Sequence, residues 1–273
     1  AAAMVARNDC QLTLRLLRRS DVDIAPTLLQ ALAESHGDHA VMRGALLARK
    51  DLAAATRLLL VQKVSDALRQ TRLVKGALAS DRLGRVLRDS GDTALSAIGE
   101  REAGKASPDY VVELVRSDRL NTRVLLHAVV TGHVMFFADC LAELAQAPRS
   151  KVFVLLEKGS RAALNALLVR CGLGQGVRNL LARLVMHARA SDLADDAAAR
   201  HYVVTALTEE LIAEHDGDIP EELEEAFAYL SEQNIVLARK AARGVMAAFA
   251  GETSSAMVAS LGRPTVRLAL PAA

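Results

Sequence analysis

The chain has 273 residues, 51% of them hydrophobic, and carries a formal net charge of +2. That is enough apolar material for a substantial core in one elongated or two compact domains, and a near-neutral total argues against a nucleic-acid role resting on bulk charge. With no Trp, 5 Phe and 3 Tyr, none of them before Tyr110, the first third must pack with Leu, Val, Ala and Met and offers no aromatic platform for stacking bases.

Reading in chain order, residues 8–20 form a helix with Leu12, Leu14, Leu16 and Leu17 on it. Asp21 or Asp23 caps a second over 24–35, ending at His36-Gly37, and Asp38 caps a third over 39–49. Asp51 starts a longer one carrying Leu52, Leu58, Leu59, Leu60, Val64 and Leu68. Helices near 80–90 and 92–103 follow, and Ser107-Pro108-Asp109 is a start signal for 109–118. Leu125, Ala128 and Val129 recur at helical steps, and Gly132 supplies the left-handed stop. The helix over 133–146 gathers Phe136, Phe137, Cys140, Leu141 and Leu144 on one side and ends before Pro148. Ser150 and Ser160 cap two more, the first closed by Gly159 and the second reaching Cys171. The turn Gly172-Leu173-Gly174 leads into 176–189.

The last third changes character. A helix over 194–214 is broken by Gly217, and Asp218-Ile219-Pro220-Glu221 opens the longest helix, roughly 219–249. Its acids lie at the N-terminal end and Arg239, Lys240 and Arg243 near the other, which complements the helix dipole. Leu223, Phe227, Leu230, Asn234, Leu237, Ala241 and Val245 trace a near-heptad seam. Docking on its own chain is the favoured use of that helix, and a homodimer seam the other. Pro264 and Pro271 suggest an irregular end. The expected organisation is therefore 1–192 as a helical-repeat domain, 193–250 as a C-terminal helical segment and 251–273 as a tail.

Certain residues carry a family resemblance. They are Gly132-His133 with Phe136-Phe137, then Leu141-Ala142 with Leu144-Ala145, Lys151-Val152 with Leu155-Leu156, Arg161-Ala162 with Ala166-Leu167, and Cys171-Gly172-Leu173. This pattern resembles domain-of-unknown-function 2336, a bacterial family found mainly in alphaproteobacteria, over most of residues 10–190. Ala45 to Leu52 resembles its N-terminal HEAT-like portion. The resemblance implies an all-α, degenerate HEAT-like solenoid of antiparallel helix pairs. It implies no known reaction, cofactor or ligand.

Chemical motifs are wanting. His36-Gly37-Asp38-His39 offers too few converging ligands for zinc, and Glu214-His215-Asp216-Gly217-Asp218 lacks the spacing of a calcium loop. Gly172-Leu173-Gly174-Gln175-Gly176 follows a helix where a dinucleotide loop needs a strand; with Arg178 nearby it could at most hold an anion. His127 and His133 read as core or turn residues, and nothing around His201 resembles a phosphotransfer box. No catalytic, cofactor-binding or metal-binding residue is nominated. Cys10, Cys140 and Cys171 show no CxxC spacing and fit a reduced, cytoplasmic protein. No run approaches the roughly 18 apolar residues of a membrane span, and no signal peptide is visible. Basic residues predominate through position 200, whereas nine acidic residues and no Lys or Arg lie between Glu209 and Glu225. The expected function is a non-catalytic scaffold that binds another protein. Nucleic-acid binding, through Arg82, Arg85 and Arg88 on one side of a helix, is the alternative, and a helical-repeat enzyme ranks third.

Overall fold

Leucines and alanines at steps of three and four, with few prolines to interrupt them, favour helix almost everywhere. The computed structural model describes residues 10–105, 109–191 and 193–261, and the only regular structure in these residues is α-helix. The chain divides into two compact units, one within Ala1–Ala190 and the other within Ser191–Ala273. No helix among the described residues is long and apolar enough to cross a membrane.

The first unit contains α1 (Cys10–Leu17), α2 (Pro26–His36), α3 (Ala40–Leu47), α4 (Ala54–Gln70), α5 (Arg72–Ala77) and α6 (Ser80–Ala103). It continues with α7 (Asp109–Arg116), α8 (Thr122–Val130), α9 (Val134–Ala145), α10 (Arg149–Lys158), α11 (Arg161–Arg170) and α12 (Gln175–Ala190). The second unit contains α13 (Ala197–Glu214) and α14 (Glu221–Leu261), which pack on one another.

Stops are legible where backbone geometry demands glycine. Gly132 has φ 78° and Gly217 φ 84°, both left-handed. Ser160 caps α11 as expected, its hydroxyl accepting from the Ala163 N–H at 3.2 Å. Other expected caps do different work. Neither Asp21 nor Asp23 starts α2, which opens with Pro26 after Ala25, the proline ring presetting the first helical φ. Asp38 accepts from Lys63 Nζ at 2.8 Å while α3 begins after His39. Asp51 holds Arg49, and α4 begins after Ala53. Ser150 lies inside the first turn of α10, whose N-cap is Pro148. The break expected near residue 91 is absent, so α6 runs 24 residues without interruption. Asp196, not a residue near 194, caps α13, and the last helix runs on to Leu261. Ser107 and Pro108, like Pro264 and Pro271, lie outside the described residues.

The N-terminal core is aliphatic, as the missing aromatics require: Leu17, Leu29, Leu32, Ala33, Met42, Leu46 and Leu60 are all almost fully buried. The middle of the unit is built around α9, which packs against α6, α7, α8, α10 and α11. Phe136, Phe137, Ala138, Cys140 and Leu141 are buried in succession. That is helical burial nearly all round, the pattern of an interior helix. Its N-terminus has no side-chain cap of its own. Glu100 of α6 supplies one through space, its carboxylate accepting from the Phe136 N–H at 2.8 Å and the Met135 N–H at 3.4 Å. Asp139 of α9 is buried and paired with Arg149 Nε at 2.7 Å. Burial pushes its carboxyl above the ordinary range even so, because the Arg149 charge offsets only part of the lost hydration.

A set of arginines closes helix ends. The last carbonyls of any α-helix lack intrahelical donors, and short helices present many such ends. Arg49 donates to the Leu17, Arg19 and Val22 carbonyls beyond α1 while its Nε meets Asp51 at 2.8 Å. Arg57 donates to Leu47 and Arg49 carbonyls at the end of α3. Arg149 reaches the Ala103 carbonyl at the end of α6, and Arg170 the Ala145 carbonyl at the end of α9. Each guanidinium lies where the helix dipole is negative.

Two glycines of α6 give opposite forecasts. A Cβ on Gly99 would sit 2.1 Å from the buried Phe136 ring, whereas one on Gly91 meets nothing within 4 Å. Alanine at either site gains roughly 1 kcal/mol of helix propensity, but at Gly99 overpacking costs about 1–3 kcal/mol. Gly91→Ala is expected to raise the urea midpoint and Gly99→Ala to lower it. Equal shifts in both would show that the ring has room to move.

Candidate functional site

The first unit carries an apolar cleft of ≈ 250 Å³ between α8, α9, α10 and α12, lined by Val129, Val134, Phe137, Phe153, Leu156, Glu157, Val185, Ala188 and Arg189. Its floor follows from helical spacing. Phe137 points from the same α9 face that carries the core, and Val129, Leu156 and Val185 close around it, all buried. Its rim follows from the opposite circumstance. Val134 begins α9 and Phe153 lies on the outward side of α10, leaving them 42% and 36% exposed. Of Val152, Phe153, Leu155 and Leu156, which helical spacing groups on one apolar side, only Val152 and Leu156 are buried.

One side chain sets the spacing of the walls. Gly159 ends α10 in an extended conformation, which leaves the final carbonyls of that helix pointing away from the chain. Arg189, in the last turn of α12, donates Nε to the Leu156 carbonyl, Nη2 to Leu155 and Nη1 to Gly159, each at 2.7 Å. A Cβ at Gly159 would lie 2.4 Å from the Leu155 oxygen, so only glycine lets the chain turn where the guanidinium can reach. A guanidinium presents its N–H groups in a rigid planar fork, so it acts as a spacer as much as a charge. Here three carbonyls fix its plane. Glu157 is the one carboxylate at the cleft, and it pairs with the adjacent Lys158 at 3.4 Å. Apart from Glu157 and Arg189, the residues that line the cleft are apolar.

The motifs set aside as turns are turns. Gly172 has φ 76°, and Arg178 Nη1 donates to the Leu173 carbonyl at 2.7 Å within the loop. Asp216 and Gly217 have positive φ in the acidic turn, and among the described residues no group of three or more His, Cys, Asp or Glu is arranged for a metal. His127 is buried with Nε2 3.4 Å from Thr93 Oγ1, and His133 Nδ1 lies 2.7 Å from Thr131 Oγ1. His201 Nε2 lies 3.0 Å from Asn234 Oδ1, joining α13 to α14. Arg82, Arg85 and Arg88 are exposed on α6. In the seam read on the last helix, Leu223, Leu230 and Leu237 are buried within the chain. Burial raises the Cys140 thiol well above its usual range and Cys171 to about 11, so neither is an activated nucleophile.

The functions of Arg49, Arg149 and Arg189, and of Glu100, do not show in the sequence. Arginine near a helix end usually serves its own helix, and the backbone partners here lie 27 or more residues away. A family model described as an uncharacterised protein conserved in bacteria matches residues 1–211. No curated protein and no solved structure matches the chain.

Replacing Arg189 tests the spacing directly. A hydrogen bond to a charged donor contributes about 1.5–3 kcal/mol. Arg189→Ala should therefore cost at least about 3 kcal/mol, and Arg189→Lys, a point charge without the fork, should recover less than half of that in urea unfolding. Full recovery by lysine would mean that charge alone suffices.

Proposed function

The chain belongs to the DUF2336 family of uncharacterised bacterial proteins, and from that premise we propose that it is a non-catalytic, helical-repeat scaffold whose cleft over Phe137 receives an apolar anchor from a protein partner. The observation that carries this reading is the cleft itself: a buried apolar floor with Val134 and Phe153 left exposed around it. Its volume of ≈ 250 Å³ falls below the roughly 300–1,000 Å³ of pockets that enclose whole small ligands. It suits instead one or two side chains presented on an amphipathic helix, the usual form of a buried interface anchor.

The architecture we propose behind it is a degenerate HEAT-like solenoid. It is supported by neighbours in sequence being neighbours in space, since α8 packs on α9, α9 on α10, α10 on α11 and α11 on α12. Such stacks present a long surface and need no catalytic groups. A cytoplasmic setting fits Cys10, Cys140 and Cys171, all of them free thiols, since thiols persist where the compartment is reducing.

Affinity purification from the native host with mass spectrometry, run in parallel on the wild type and on Phe153→Asp, tests the reading. A charge placed on the rim should reduce recovery of a bound protein about tenfold, the loss of a typical anchor contact. A partner retained equally by both, or nucleic acid in place of protein, would contradict it. The second result would direct attention to Arg82, Arg85 and Arg88.

A further inference from the structure

The last helix has two apolar faces, and within the described residues of its unit α13 covers one of them. Leu223, Ala226, Leu230, Gln233 and Leu237 are buried at heptad spacing. At 100° per residue, the opposite side carries Ala228, Ile235, Ala242 and Met246, all exposed, with Ile235 at 56% and Met246 at 71%. The helix is also far longer than its neighbour. At 1.5 Å per residue the 41 residues of α14 extend roughly 60 Å and the 18 of α13 roughly 27 Å. Asn234 lies opposite His201 and Thr205, so α13 begins near the level of residue 240, and α14 runs past it. Residues 242–247 are exposed without exception.

Charge on the uncovered face is divided end from end. Glu221, Glu224 and Glu225 are exposed on its N-terminal turns, and Arg239 and Arg243 are exposed on its C-terminal part. We propose that this face binds the same face of a second copy, antiparallel, about a twofold axis at Ile235. A twofold contact requires that residue i meet j while j meets i. With the axis at Ile235, positions whose numbers sum to 470 lie level, which sets Ala228 opposite Ala242 and Ile235 opposite itself. It also brings Glu225 within one turn of Arg243 of the other copy, and Glu232 level with Arg239. These four lie on one flank of the contact by their helical angles, and the twofold keeps them on the same flank. The alanines allow close approach where the helices cross. Parallel pairing in register would set Glu against Glu and Arg against Arg, so the charge pattern selects the antiparallel arrangement. The heptad seam read from sequence alone is not the surface used, because its leucines are already buried.

Sedimentation velocity of the full chain over a concentration series reads the outcome. The wild type should pass from 29.2 kDa to twice that mass, and Ile235→Asp should remain monomeric. Arg243→Glu and Glu225→Arg should each weaken the dimer about tenfold by facing like charges. The double variant, Glu225→Arg with Arg243→Glu, should return to within a few-fold of the wild type, because every cross-pair regains opposite signs. All three substituted positions are exposed, so helix content by circular dichroism should not change. A wild type that stays monomeric overturns the proposal. So does a dimer indifferent to Ile235→Asp, or a double variant weaker than either single one.

Discussion

The orphan carbonyls at the ends of short helices constrain this structure more than any other feature. A unit made of helices such as Cys10–Leu17, Ala40–Leu47 and Arg149–Lys158 ends its backbone ladders often, and each end leaves acceptors that must find donors. Long-range guanidinium groups answer at five of these ends. Arg49, Arg57, Arg149, Arg170 and Arg189 reach the ends of α1, α3, α6, α9 and α10 respectively. The bonds of Arg57, Arg149, Arg170 and Arg189 each join two helices, and those of Arg49 tie the end of α1 to the segment after α3, so the same contacts that complete the backbone fix the distances between elements. An excess of basic residues through position 200 therefore has, in part, an internal cause, and it is weak evidence for an external anion.

The same constraint shapes the cleft. Because Arg189 holds the end of α12 against the end of α10, the two helices cannot collapse over Phe137, and the apolar floor stays open between them. On the other side of α9, Glu100 caps its first turn and Gly99 admits Phe136 against α6. The central helix is thus held from one side by packing and a carboxylate and from the other by an arginine tie. A cleft whose walls are set by hydrogen-bonded geometry is preorganised, which would spare the proposed partner much of the cost of reordering.

Much of the helical order could be read from the sequence, because periodicity reports burial: the stripes of α8 and α9 and the stops at Gly132 and Gly159 depend on local rules alone. Boundaries that rested on a single capping residue fared worse. Asp38, Asp51 and Ser150 all have side chains able to cap, yet the helix starts lie elsewhere. For Asp38 and Asp51 a cation offered the stronger partner, Lys63 in one case and Arg49 in the other. The break placed near Gly91 failed because packing of α6 against α4 and α9 outweighs the roughly 1 kcal/mol that a mid-helix glycine costs. The cleft was not legible at all. It depends on Phe153 being turned outward and on a bond between Arg189 and a carbonyl 30 residues earlier, and neither leaves a local signal.

Native-state hydrogen exchange on the wild type and on Arg189→Ala tests most directly whether arginine ties fix the arrangement of the first unit. The account predicts that amides in residues 152–159 and 185–190 lose protection together while those of α2, α3 and α4 keep theirs. Unchanged protection at the end of α10, or an even loss across the whole unit, would contradict it.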